Sequence, residues 1–509
     1  MILILNFGSQ FAHLIARRVR ALGVKAEIVP HTITAREVHE MGAIGIIFSG
    51  GPSSVIEGGP RAEDALLTLG IPVLGICYGH QLIADMLGGI VVKGIHHEFG
   101  KEIVVTKKAT ALLAKVPKKQ IVWFSHGDQV SKLPDGFTTN ASTKACAHAV
   151  YADEKQKIFG LQFHPEVSHT EYGEQIFKNF VRTICKAKKN WQINSVAKSI
   201  VHDIRNEVGK EHVLVALSGG VDSLVAATLL HEAIGNRMHG LFVDTGLLRK
   251  DEVAQVASYL KKNGFKTLKV VSAGEMYLSR LKGVTDPEEK RKIIGHAFIE
   301  IFEKEVEEMK AKYNITYLAQ GTIYPDRIES AAPSKTASKI KTHHNLALPE
   351  KMKLKVLEPL KDLYKDEVRQ VGMALGLPRE LVYRHPFPGP GLAIRIVGEV
   401  TPERVRILQE ADAVYLDELK KFGEYEKIWQ AFAALLPLKV VGVMGDARTY
   451  EYVLALRAVD SVDGMTADWH KMPHELLEKI SSAIIGKVRG VNRVLYDVTQ
   501  KPPATIEYE

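Results

Sequence analysis

Cys77 stands between the apolar run VLGI at 73–76 and a segment that opens Tyr78-Gly79-His80-Gln81. A thiol on such a strand-to-helix turn projects from a sheet edge. The unpaired N–H groups of the helix start favour its thiolate there. Gly75 and Gly79 leave room for the tight backbone, the same elbow logic that serves hydrolase serines. A nucleophile of this kind needs a base, and the base needs an orienting group. His164 and Glu166, in the string HPE, follow the apolar run KIFGLQF. Residues two apart in an extended segment point the same way, and Pro165 favours an extended His164. His164 is expected to take the thiol proton and Glu166 to hold the imidazole. The Gly50-Gly51 turn, joined by the N–H of Tyr78, is expected to stabilise an oxyanion.

A second chemical signal is SGGVDS, residues 218–223, after the apolar run HVLVAL. Gly219 and Gly220 let the backbone turn its N–H groups toward an anion. The helix expected from Val221 adds its N-terminal field, and Ser218 and Ser223 supply hydroxyls. Asp222 is either a first-turn residue that complements the helix dipole or a metal ligand. The segment lacks the lysine of a Walker loop, so a P-loop NTPase is not expected.

The elements that must position these groups alternate β-rich and helical runs. A first α/β pattern fills residues 1–188, with a strand at 2–5, strand-then-turn segments at 45–52 and 72–81, strands at 121–129 and 157–166, and helices near 10–21 and 171–186. KAKKN at 186–190 reads as a linker or as a solvated helix end. A second pattern, over 189–384, has strands that end in polar loops within 212–223, 238–248 and 315–326. It predicts a parallel sheet with its sites at the carboxyl ends. Residues 328–348 are small and basic and read as a mobile loop. HPFPGPG at 385–391 marks a boundary, and 385–509 reads as a smaller α+β domain.

Composition agrees with this division. The chain has 509 residues, room for about three domains at ~150 each, with 46% hydrophobic and 25% charged residues. The three cysteines, Cys77, Cys146 and Cys185, are too few and scattered for a disulfide framework or a cysteine zinc site. A cytoplasmic setting is expected. The opening MILILNFGSQ lacks a basic flank and a cleavage site and reads as a buried strand. No apolar run reaches the ~18 residues that span a membrane. The net charge of +8 is spread along the chain, so no nucleic-acid partner is expected.

Residues 1–185, through GICYGHQ and HPE, resemble the class I glutamine amidotransferases. That resemblance implies glutamine hydrolysis through a γ-glutamyl thioester on Cys77. It also places Gln81, His126 and Asp128 near the glutamine pocket. His80 stands where GMP synthases often have methionine. SGGVDS resembles the loop of ATP pyrophosphatases, which split ATP into AMP and pyrophosphate. The resemblance implies that residues 218–223 hold the pyrophosphate portion, with Asp222 helping to hold Mg²⁺. It sets Val243 against the adenine, Gly321 near the nucleotide and Asp326 as a further acidic group. Lys339 and Lys341, with His343 and His344, would close as a lid over the phosphates.

The strings DPEEKRKIIG, LAQGTIYPD, IKTHHN, HPFPGPGLAIRI, GVMGDARTY and KPPATIEYE resemble the glutamine-dependent GMP synthase family. This implies an amidotransferase domain, an adenine-nucleotide alpha-hydrolase-like domain and a C-terminal dimerisation domain, assembled as a homodimer. The substrates implied are glutamine, ATP and xanthosine monophosphate (XMP). The XMP contacts carried over are Arg291, Pro390, Gln430, Arg493, Lys501, Ile506 and Glu507. Arginine and lysine suit a nucleotide's phosphate. The tail from 501 reads as a frayed end or as a strand, TIEYE.

Overall fold

The structure, a computed structural model, describes the chain apart from residues 10, 168, 332–353, 462, 463 and 465, and apart from the side chains of 95–98, 328–331 and 444. Lys339, Lys341, His343 and His344 lie outside the described residues. The chain divides into two compact units, Met1–Ser195 and Val196–Glu509.

The first unit is built on nine strands: β1 Ile2–Asn6, β2 Ala26–Pro30, β3 Gly45–Phe48, β4 Val73–Ile76, β5 Ile90–Thr106, β6 Lys119–Lys132, β7 Thr138–Ser142, β8 Val150–Asp153 and β9 Ile158–Leu161. Their order is β2-β1-β3-β4-β9-β8-β7-β5-β6. The stretch β2-β1-β3-β4-β9 is parallel, and the remainder is antiparallel. The short runs ILIL, GIIF, VLGI and IFGL are buried throughout, as parallel strands covered on both faces must be. β6 begins with exposed and buried residues in alternation, the mark of a strand with one wet face. The SHGD segment lies inside this strand, as the strand expected over 121–129 has it.

The helix expected near 171–186 forms as Gly173–Lys178 and continues through a wider π turn, Asn179–Ile184. KAKKN returns to the first unit. The N–H groups of Asn190 and Trp191 both donate to the Gly23 carbonyl at 2.9 and 3.0 Å, and Arg20 stacks 4.5 Å over the Trp191 ring.

The second unit carries a parallel sheet of β10 His212–Leu217, β11 Met238–Asp244, β12 Leu268–Ser272, β13 Ile315–Ala319 and β14 Lys355–Leu357, in the order β12-β11-β10-β13-β14. The chain runs outward from β10 to β12 and returns on its other side at β13. That reversal opens a crevice at the carboxyl ends of β10 and β13. A further sheet follows: β15 Gln430–Met444, β16 Ala447–Asp460, β17 Asp468–Trp469 and β18 Val491–Tyr496. Its β15–β16 pair is antiparallel and β18 runs parallel to β16. One face packs Ala431, Leu435, Leu454 and Leu456 into a core with Ile407 and Ile480. That core also takes in Val243, Leu247 and Tyr277, so it runs across residue 385. The opposite face holds Phe432, Ala434, Val459 and Ile506.

Two local expectations change. YPD is the first turn of a helix, Tyr324–Ala331, with Asp326 Oδ2 accepting from the Ile323 N–H at 3.1 Å. The tail is neither frayed nor a strand. Lys501 makes a single bridge to Ala467, and side chains hold the rest. Among the described residues no helix is long and apolar enough to cross a membrane.

Candidate active sites

Cys77 joins β4 to the helix Tyr78–Met86 with φ 51° and ψ −104°. That strained conformation costs about 1–3 kcal/mol and is held by its surroundings. A Cβ on Gly79 would lie 2.4 Å from the Phe48 carbonyl oxygen, so only glycine lets the helix start approach β3 this closely. The Cys77 N–H donates to Leu161 O at 2.7 Å and Gly79 N–H to Ser49 O at 3.1 Å. The Cys77 thiol donates to Ser125 O at 3.5 Å, bringing β6 alongside.

His164 and Glu166 are buried, and His164 Nδ1 donates to Glu166 Oε1 at 2.7 Å. Phe11 sits edge-on to the imidazole, centroids 5.3 Å apart. A Cβ on Gly50 would meet His164 Cε1 at 3.1 Å and Cys77 Cβ at 3.6 Å. The thiol, the imidazole and the Gly50 backbone thus share one small space. Burial pulls the His164 pKa down, but Glu166 and Cys77 together hold it well above its ordinary value. An imidazolium beside the sulfur favours the thiolate. Tyr78 opens the helix, so its N–H belongs to the open N-terminus.

The three residues expected near glutamine are linked but turn part of their polarity on each other. Gln81 Nε2 donates to Asp128 O at 2.7 Å, and His126 Nδ1 donates to the same carbonyl at 2.9 Å. Asp128 Oδ2 accepts from Ser54 Oγ at 2.5 Å. His80 is wholly buried. Its Nε2 bonds His148 O at 2.9 Å, and burial pushes its pKa down to about 3.

In the second unit, Ser218–Gly220 leave β10 and enter the helix Val221–Ile234 at the crevice. Ser223 Oγ accepts from the Ser218 N–H at 3.2 Å and donates to Gly220 O at 3.1 Å, closing the turn. Gly219 has φ +79°, open to glycine and costly for other residues. Gly321, just past β13, faces the turn: a Cβ there would lie 3.2 Å from Ser223 N. Asp222 Oδ2 pairs with Lys365 Nζ at 2.5 Å, while its Oδ1 is buried without a hydrogen bond. Val243 is buried in the core at the end of β11.

The third set gathers around the tail. Glu507 receives Arg395 Nε at 2.9 Å and Nη2 at 2.8 Å, and Gln430 Nε2 at 2.7 Å. Arg291 donates to Glu509 O at 2.6 Å. Lys501 Nζ reaches Gly464 O at 2.8 Å. Ile506 seals the face around Phe432. Pro390 precedes the turn Gly391–Ile394 that delivers Arg395. Arg493 is exposed on β18 in register with Val453, whereas Arg457, which binds the tail, lies farther along β16. The structure joins Gln430, Glu507 and Arg291 through the tail and leaves Arg493 apart from that contact.

The class-I glutamine amidotransferase family model matches residues 3–184, that of NAD synthase residues 192–294, and that of the GMP synthase C terminal domain residues 417–508. A glutamine-hydrolyzing GMP synthase of Aquifex aeolicus is 52% identical over 510 residues, covering 100% of this chain and 99% of that protein. Those of Carboxydothermus hydrogenoformans and Thermosipho africanus are each 51% identical, with the same coverage. The chain belongs to the glutamine-hydrolysing GMP synthase family. It is a ligase that forms a C–N bond, with glutamine-dependent formation of GMP as its activity.

Within this GMP synthase architecture, sequence reasoning missed the buried cations that hold the C-terminal tail. Arg395, Arg457 and Lys290 are each buried. Arg457 donates to Ile506 O at 2.8 Å, Thr505 O at 2.9 Å and Thr499 O at 3.0 Å. Lys290 donates to Ile396 O at 2.8 Å and pairs with the Glu509 carboxylate. Two of them carried a signal: LAIRIV and VLALRAV each place one arginine inside an apolar run, and a charge there needs a partner. Lys290, in the charged string EEKRK, carried none.

Proposed function

We propose that Cys77 attacks the side-chain amide of glutamine, with His164 as base and Glu166 as its orienting group. The carbonyl oxygen would then take its negative charge against the N–H groups of Gly50, Gly51 and Tyr78. Ammonia leaves with a proton from His164, and water releases glutamate from the thioester. In the second unit the turn 218–223 cradles the β and γ phosphates of ATP. AMP passes to O2 of XMP, pyrophosphate departs, ammonia attacks C2, and AMP leaves carrying the oxygen. The reading rests on one observation above others: a strained, buried thiol sharing its space with an ion-paired imidazole.

Asp222 suits Mg²⁺ because a buried carboxylate oxygen without a hydrogen bond accepts a hard cation. Bound with ATP, the ion would neutralise charge on the phosphates. Gln430, Glu507, Arg291, Lys501 and Ile506 are proposed to line the XMP site, with Pro390 and Arg493 flanking it. Gln81, His126 and Asp128 are proposed to shape the glutamine pocket, and Val243, Gly321, Asp326, Lys339 and Lys341 the ATP site. We divide the chain functionally at 188 and 384. Support comes from the separate family matches and from the proline-rich break at 385–391.

A homodimer is proposed through the last sheet. Val441 is 58% exposed directly opposite Tyr450 at 66%, and Val443 beside them is 74% exposed, an apolar patch of the kind partners cover. No disulfide joins the three cysteines, which supports a cytoplasmic setting, and no nucleic-acid partner is proposed. The deciding assay supplies XMP, ATP and Mg²⁺ with either glutamine or ammonium. Cys77→Ala is expected to abolish glutamine-dependent GMP formation and keep the ammonium-dependent reaction. Loss of both would refute the division of labour.

A further inference from the structure

We infer that Glu252 is a positioning residue for the ATP-splitting step, with Arg384 as its counter-ion. The pair fixes the phosphate turn and ties it to the segment that carries the acceptor-side contacts. The inference rests on the reading that residues 218–223 hold the phosphates of ATP.

The starting observation is a carboxylate in an awkward place. Glu252, the first residue of the helix Glu252–Lys262, is buried, and its Oε1 lies 2.8 Å from where a Cβ on Gly219 would stand. A buried negative charge directly behind an anion-binding turn opposes the turn's task unless it is neutralised. Arg384 is the neutralising group. Its Nη1 sits 3.5 Å from Glu252 Oε1, is buried, and makes no hydrogen bond. Its Nη2 is fixed by Gln255 Oε1 at 2.7 Å. Burial pushes the Arg384 pKa down and Glu252 opposes that.

The pair is anchored at its far end. The other oxygen of Glu252 accepts from the Arg249 N–H at 3.2 Å. The Arg249 guanidinium donates to His385 O at 3.4 Å and Pro386 O at 3.3 Å, and stacks 4.5 Å over the Phe387 ring. Pro386 O also accepts from Gln430 Nε2 at 3.3 Å, and His385 Nδ1 accepts from the Ala431 N–H at 3.0 Å. From Gly219 to Gln430 every link is a direct contact or a peptide bond. A shift of residues 384–386 is therefore felt at the phosphate turn.

Replacing Glu252 by glutamine keeps the shape and removes the charge. Arg384 is then an uncompensated guanidinium behind Gly219. It draws ATP's phosphates toward itself in the ground state and away from the turn's N–H groups. Turnover should therefore suffer more than binding. Removing the second charge as well should relieve the first loss.

The test is XMP-dependent ATP–pyrophosphate exchange with Mg²⁺, on the full chain. Glu252→Gln is expected to lower kcat roughly tenfold or more with KM for ATP within about threefold. Adding Arg384→Gln is expected to bring kcat back to within about threefold of the parent, the coupling a double-mutant cycle reads. A merely structural role would not give recovery on losing a second buried contact. Exchange at the parent rate in Glu252→Gln, or a double variant no faster than the single, overturns the inference. Asp222→Ala separates this failure from failure of the underlying reading. If Asp222→Ala also exchanges normally, the phosphate turn is misassigned. If Asp222→Ala is inactive while Glu252→Gln is normal, only the Glu252–Arg384 pairing is wrong.

Discussion

Replacing Glu166 by glutamine tests the thiol site most directly, because shape is kept and one charge is lost. Glu166 Oε1 accepts a hydrogen bond from His164 Nδ1 at 2.7 Å, and both side chains are almost wholly buried. Burial alone pulls the imidazole toward its neutral form, and Glu166 and Cys77 oppose that pull. Without the carboxylate, Cys77 stands alone against desolvation. A hydrogen bond to a charged group contributes about 1.5–3 kcal/mol. At about 1.4 kcal/mol per factor of ten, that is roughly one to two decades in rate. An amide also favours the wrong tautomer by offering Nδ1 a donor, and in a serine-protease triad the equivalent change costs about 10⁴. Glutaminase activity should thus fall between roughly 10 and 10⁴-fold, with ammonium-dependent GMP formation kept. A variant within threefold of the parent would refute the orienting role. The pair also carries a pH signature. The folded His164 pKa is raised, so its stabilisation is complete below the ordinary imidazole value of 6.5 and is lost as pH rises through the raised value. The melting temperatures of parent and Glu166→Gln should converge toward alkaline pH.

His80 supplies the opposite sign. Its folded pKa lies at about 3 against an ordinary 6.5. Between those values the unfolded chain binds a proton that the folded chain does not, and acid costs about 1.4 kcal/mol per pH unit. His80→Met should flatten the acid limb of thermal unfolding of the first unit; an unchanged slope from pH 6.5 to 4.5 would count against the buried neutral imidazole. Arg395→Met leaves the half-buried Glu507 carboxylate without its two guanidinium bonds, at a cost of about 1.5–3 kcal/mol. Denaturant unfolding should register that loss in the second unit. GMP formation should drop with both nitrogen donors while Cys77 still hydrolyses glutamine, and normal GMP formation would remove Arg395 from the acceptor site.

The thiol site was legible because its chemistry is local. GICYGHQ carries the nucleophile, the glycines its elbow needs and the helix start in one string, and HPE carries base and orienter two residues apart. The phosphate turn was legible for the same reason. The tail was not. TIEYE alternates like a strand, but Arg457 takes the carbonyls of Thr505 and Ile506 with its side chain. A strand partner would otherwise use those groups. Serine, glycine and aspartate favour turns, yet SHGD stays within the strand expected over 121–129. Pairing with β5 along the 14 residues of β6 overrides that local preference. The extent of the last core was also hidden, since nothing in VDTGLL announces that Leu247 packs with Ile407.

The two chemistries are held in place by different physics. At Cys77 the geometry is enforced by backbone: a positive φ, and a glycine against a carbonyl 2.4 Å from where any Cβ would sit. At the acceptor end it is enforced by charge. Lys290, Arg395 and Arg457 come from three distant stretches of chain and converge on residues 499–509. Buried ion pairs add little net stability, because desolvation offsets most of their attraction. What they do fix is arrangement, since each unpaired alternative buries a bare charge. On the proposed assignment of this end to the acceptor nucleotide, the carboxylates of Glu507 and Glu509 hold the buried guanidinium and ammonium groups apart and oriented. Replacing such a cation together with its carboxylate by apolar residues should therefore leave the fold about as stable as before and still cost the site its shape, whereas Arg395→Met alone strands the carboxylate of Glu507.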